Sequence, residues 1–89
     1  MSIDGNDTYN PNTPGRGLLI IRSSSTQGGI GIIALAGSAG QVLYGGSQYN
    51  IDDSGALVKI NLGSVSPYNF TITNKVNSKC TIYYVLLQV

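Results

Sequence analysis

The run Lys79-Cys80-Thr81-Ile82-Tyr83-Tyr84-Val85-Leu86-Leu87-Gln88-Val89 closes the chain. On an extended backbone Cys80, Ile82, Tyr84 and Leu86 face one way, and Tyr83, Val85, Leu87 and Val89 the other. β-Branched and aromatic side chains suit a pleated surface, so the run predicts a strand. A strand with one wet face alternates apolar with polar residues; this one is apolar on both faces. The two sheets of a small sandwich cover only their inner faces, so a second surface has to cover the outer one. Another subunit is the economical source, and Tyr83, Val85, Leu87 and Val89 are the expected inter-subunit face.

Working back from that strand, short branched runs recur, each closed by turn residues. Residues 68–73 alternate Tyr68, Phe70 and Ile72 with Asn69, Thr71 and Thr73, and residues 56–62 alternate Val58, Ile60 and Leu62 with Leu57, Lys59 and Asn61. Each predicts a strand with one buried face. Earlier strands are expected over 18–22, 30–36, 41–44 and 47–51, separated by Ser/Gly-rich loops at 23–29 and 37–40 and by Gly45-Gly46. Asp52-Asp53-Ser54-Gly55 has the acid-first, glycine-last order of a type I turn. Seven short strands at this spacing predict an all-β fold, a small antiparallel β-sandwich or jelly-roll-like barrel over residues 18–89.

Residues 1–17 read differently. They combine Pro, Gly, Asn and Asp with only Ile3 and Tyr9 as large apolar groups. Such a stretch has no period and little to bury, which predicts an extended N-terminal arm that orders by lying against a neighbour. Ile3 and Tyr9 are its expected attachment contacts.

The composition narrows the functional classes. Of 89 residues only 10% are charged, against a usual ~25%. The net charge is +1, with the five Lys and Arg scattered, so no basic stripe exists to hold phosphates or anionic lipid. Neither nucleic acid nor a membrane is an expected partner. A near-neutral surface instead favours self-association, since little repulsion keeps copies apart. A domain of this length buries only ~60–65% of its unfolded surface, and a lone Cys80 offers no internal disulfide, so oligomerisation is the expected support. Cys80 reads as a small core hydrophobe. No apolar run approaches the ~18 residues of a spanning helix, and the polar start lacks a basic, apolar leader, which predicts synthesis in a cytoplasm.

Catalytic and cofactor chemistry find few instruments. With no His, the Ser-His-Asp and Cys-His arrangements are excluded, as are His- and Cys-based metal sites. Gly29-Ile30-Gly31-Ile32-Ile33-Ala34 spells G-x-G-x-x-A, but no helix is expected to follow it, and a dinucleotide site needs one. Asp52 and Asp53 are adjacent and point opposite ways on an extended chain, so they suit a turn better than a paired-carboxylate site, and two carboxylates make a weak Ca²⁺ site. Asn6-Asp7-Thr8 and Asn69-Phe70-Thr71 match the glycosylation letters and are read as chance. No enzyme and no cofactor is expected. Six Tyr remain; Tyr44 and Tyr49, bracketing Gly45-Gly46, are the candidates for a ligand-facing pair, with Ser47, Gln48 and Asn50 beside them.

The arm Tyr9-Asn10-Pro11-Asn12-Thr13-Pro14-Gly15, the charge-poor, glycine-punctuated strands and the apolar run Thr81-Ile82-Tyr83-Tyr84-Val85-Leu86-Leu87 together resemble the small β-structured proteins of tailed bacteriophage particles: head fibres, capsid decoration proteins and tail-fibre domains. The resemblance is one of style over the whole chain and carries no site residue across. Long shafts and coiled-coil segments, usual in fibres, are missing. It implies a symmetric, trimeric β-structure attached to a virion, with the N-terminal arm holding a larger capsid or tail protein. The expectation is therefore a non-enzymatic structural component of a phage-like particle, located in the virion. The alternative is a carbohydrate- or receptor-binding module that engages a surface glycan through Tyr44 and Tyr49.

Overall fold

Branched and aromatic runs form nine strands in the computed structural model, which describes residues 1–26, 29–52 and 55–88. They are β1 (Ser2–Ile3), β2 (Thr8–Tyr9), β3 (Arg16–Ser23), β4 (Ile30–Ala36), β5 (Ala39–Tyr44), β6 (Tyr49–Asn50), β7 (Val58–Asn61), β8 (Thr71–Asn74) and β9 (Cys80–Leu87). A single 3-10 turn at Ser24–Thr26 interrupts the loop after β3, and no α-helix occurs among the described residues. One sheet has the order β1-β9-β3-β4-β5 and is antiparallel throughout. The other has the order β2-β8-β7-β6, with β6 parallel to β7 and the remaining pairs antiparallel. Neither sheet closes on itself, so the barrel alternative is set aside.

The alternation expected from the sequence places the core. Leu19 and Ile21 of β3, Ile33 and Leu35 of β4, and Cys80 and Ile82 of β9 point inward from the five-stranded sheet. Tyr49, Val58, Ile60, Phe70 and Ile72 meet them from the other side, and the two sheets share one apolar cluster in a sandwich-like arrangement. Between β4 and β5 the chain turns on Gly37 and Ser38; Gly37 has φ +69°, a left-handed conformation that glycine adopts at least cost. The β4–β5 register then slips between Ile32 and Ile33, leaving Leu43 as the extra residue of a bulge. Tyr68, expected to alternate with Phe70 and Ile72, instead has φ +62° and lies under the Arg16 guanidinium, 5.9 Å from its ring centre.

Residues 1–17 do not stand apart as an arm. β1 pairs with β9 (Ser2 opposite Thr81, Ile3 opposite Cys80), and β2 pairs with β8 (Thr8 opposite Thr73, Tyr9 opposite Ile72). The segment therefore crosses from one sheet to the other, and β3 begins inside it at Arg16. Ile3 is buried in the shared core, and Tyr9 packs on that core with its ring 6.4 Å from that of Tyr84. The physical reason is backbone hydrogen bonding: an otherwise open flank of β8 and of β9 offers partners to an extended chain that has none of its own. Asn74, fully buried, adds a clamp by donating from Nδ2 to the carbonyls of Ile3 (3.1 Å), Asp4 (3.2 Å) and Ser78 (2.8 Å) while its Oδ1 accepts from Val76 N–H.

Candidate functional site

The outer face of the five-stranded sheet is built by register. Residues opposite one another on antiparallel strands point the same way, so three rungs cross β9, β3 and β4: Leu87–Leu18–Ala34, Val85–Ile20–Ile32 and Tyr83–Arg22–Ile30. Tyr44 of β5 continues the middle rung beside Ile32. Eight of the nine residues in these rungs are apolar or aromatic. Tyr83, Val85 and Leu87 are 55%, 55% and 52% exposed, so the face expected from the last strand is open to solvent in the single chain. A shallow pit of about 210 Å³ opens between Ile20, Arg22, Ile30, Tyr83 and Val85. Arg22, the one charged residue of the rungs, lies with its guanidinium 4.8 Å from the Tyr83 ring centre. That stacking turns the flat cation onto an aromatic face and covers apolar surface with its stem.

β9 announced this face because it is apolar on both sides. β3 and β4 carry the same signal, an unbroken Leu18-Leu19-Ile20-Ile21 run and Ile30 to Ile33 with one glycine, but which of their residues join the face depends on register, and so Ile20, Ile30 and Ile32 add to the residues expected from β9. Val89, the fourth residue expected on this face, lies outside the described residues.

Tyr44 and Tyr49 do not form a ligand-facing pair. Tyr44 is 62% exposed, whereas Tyr49 is wholly buried. The Tyr49 hydroxyl accepts from Ser23 N–H (2.9 Å), shares a hydrogen bond with Thr26 Oγ1 (2.8 Å) and donates to the Gly29 carbonyl (2.6 Å), tying β6 to the end of β3 and the start of β4. Gly31 makes this possible: a Cβ there would stand 2.6 Å from Tyr49 Cγ. Glycine inside a strand marks such close approaches, and this was the sequence signal that Tyr49 belongs to the core.

Tyr44 instead lines a cleft of about 560 Å³ with Ser47, Gln48 and the backbone of Gly29, Gly45 and Gly46. Gly45, at φ +82°, presses its backbone against β4, where a Cβ would meet the Ile30 carbonyl oxygen. Its own carbonyl accepts from the N–H groups of Gln48 (3.0 Å) and Tyr49 (2.9 Å), which fixes the turn. The Gln48 side chain lies over Gly29 and donates to the Thr26 carbonyl at 3.4 Å. Ile30 lines both this cleft and the pit on the outer face, so the two are neighbours across one side chain.

Elsewhere, Cys80 is a buried free thiol. The Tyr84 hydroxyl is held above its usual range by burial, with a hydrogen bond to Tyr9 adding to the effect. Asp53 and Ser54, part of the acidic turn, lie outside the described residues; among those described, no cluster of three His, Cys, Asp or Glu could hold a metal ion, and no helix is long and apolar enough to cross a membrane. No protein-family model matches the chain, and neither a curated protein nor a solved structure is similar enough to be matched to it.

Proposed function

We propose that the chain is a non-enzymatic structural subunit that self-assembles, as a homotrimer, through the outer face of its five-stranded sheet, and that it serves as a component of a virus or phage particle, as a head fibre, decoration protein or tail-fibre domain. The observation that carries the reading is the set of three apolar rungs with half-exposed Tyr83, Val85 and Leu87. Contiguous apolar patches of this kind mark contact surfaces. Three strands about 4.8 Å apart and three rungs of roughly 7 Å give a patch of about 300 Å², with Tyr44 at its margin. That is the size of the apolar centre of an interface burying ~800 Å² per partner, with a polar rim left over. A charge-poor chain suits a partner with the same surface, and closed symmetry lets three such faces turn toward one axis without open-ended stacking. The likeness in style to phage proteins supplies the setting. Attachment to a larger capsid or tail protein would not run through Ile3 or Tyr9, since both are occupied within the chain.

Light scattering coupled to size exclusion tests the reading. A trimer has a mass of about 28 kDa, three times the 9.3 kDa of the chain. Val85→Asp places a carboxylate in the middle rung, and its outward side chain leaves the single-chain core untouched. A central interface residue contributes ~2 kcal/mol or more, so the dissociation constant should rise at least ~30-fold. A monodisperse 9.3 kDa wild-type species at micromolar concentration would overturn the proposal.

A further inference from the structure

We infer that the cleft between Tyr44 and Gln48 binds a neutral saccharide, a reading that goes beyond assembly and does not rest on it. Its volume, about 560 Å³, falls within the ~300–1,000 Å³ typical of small-ligand sites. The lining states the chemistry of the occupant. Tyr44, 62% exposed on the edge strand, supplies an aromatic ring, the kind of group on which the C–H side of a pyranose packs. Ser47 contributes a hydroxyl that can donate and accept, and Gln48 an amide that can do both, the pairing that vicinal hydroxyls need. Gly29, Gly45 and Gly46 complete the lining.

No described residue lining the cleft is charged, so a nucleotide, a sialylated or sulfated glycan, or another anion would meet no charged group within the lining itself. A wholly apolar ligand would strip water from the Ser47 hydroxyl and the outer side of the Gln48 amide, at a cost in binding. The rigid turn, fixed by the Gly45 carbonyl, keeps the polar groups in place before any ligand arrives. Among the described residues only one aromatic group lines the cleft, so affinity for a single sugar unit is expected to be weak.

Binding of neutral oligosaccharides built from glucose, galactose, mannose or N-acetylglucosamine, measured by glycan array and by ligand-observed NMR, tests this, with sialylated and sulfated glycans as the contrast. The wild type should bind at least one neutral glycan and no acidic glycan more tightly. Tyr44→Phe should keep affinity within about threefold, because the ring face remains, whereas Tyr44→Ala should lose it at least tenfold. Gly46→Leu is a second, independent variant: the nearest atom to a Cβ there is Val42 Cγ1 at 3.7 Å, so the turn accepts a side chain, and bulk added to a residue that lines the cleft should lower binding at least tenfold. Absence of neutral-glycan binding at millimolar sugar, preference for acidic glycans, or a smaller loss of binding in Gly46→Leu would each overturn the inference. Mass in solution, read on the same samples, separates that failure from a failure of assembly.

Discussion

Tyr49→Phe removes one oxygen from the centre of the molecule and tests how the start of β4 is held to the end of β3. In the wild type that hydroxyl accepts the Ser23 N–H at 2.9 Å and donates to the Gly29 carbonyl at 2.6 Å. The Thr26 hydroxyl, 3.0 Å from the Gly29 carbonyl, can turn its one hydrogen there once the phenol is gone, but Ser23 is fully buried, and its N–H loses the partner that the phenol provided. A buried donor left unsatisfied costs ~1–3 kcal/mol, and the lost bond to Thr26 adds to it, so the variant should be less stable by about 2–3 kcal/mol. For a domain of this size that corresponds to a fall of roughly 10–20 °C in melting temperature. Urea unfolding followed by circular dichroism should show a lower midpoint with an unchanged slope, since the surface exposed on unfolding is the same. Wild type and variant have to be compared at equal protomer concentration, because association adds to apparent stability. A loss below about 0.5 kcal/mol, the lower limit for an ordinary hydrogen bond, would refute the network as a stabilising element.

Two further outcomes are expected. Asn74→Ala removes the three donations to Ile3, Asp4 and Ser78 and the acceptance from Val76, and should cost about 2–3 kcal/mol; amide hydrogen exchange should show protection lost first over β1 and β2, and uniform loss would contradict the clamp. Tyr84 is held above its usual pKa of ~10 by burial and by Tyr9, so the folded state keeps its proton longer than the unfolded chain does. Its contribution is complete below that usual value and is lost as pH rises through the raised one; Tyr84→Phe should flatten the decline of the urea midpoint above about pH 10, and an unchanged decline would count against it.

The parts of the fold that could be read from sequence are those whose signal is local. β9 and β7 carry enough alternation to declare both a strand and its two faces, and β4 enough branched residues to declare a strand. The first seventeen residues carry none: β1 and β2 are two residues each, too short for a period, and they exist because Cys80, Thr81, Ile72 and Thr73 stand ready as partners far along the chain. Ile3 and Tyr9 are therefore indistinguishable in sequence from the anchors of a free tail. The burial of Tyr49 departs from the sequence expectation for a related reason. Its exposed neighbours define a turn, but the space that receives its ring belongs to Gly31, a residue on another strand. Half of the candidate site was legible in Tyr44 and in the outward residues of β9; the rungs supplied by Ile20 and Ile30 emerge only once register joins three strands.

β9 lies between β1 and β3, so the first and the last strands of these 89 residues are hydrogen-bonded to each other. A ribosome delivers Ser2 long before Thr81, and until the late residues emerge the early ones have no ladder to join. Folding of the larger sheet is thus held back until synthesis has passed Leu87, and a nascent chain stopped short of that point would display Ile3, Leu19 and Ile21 to whatever chaperone or protease meets it first.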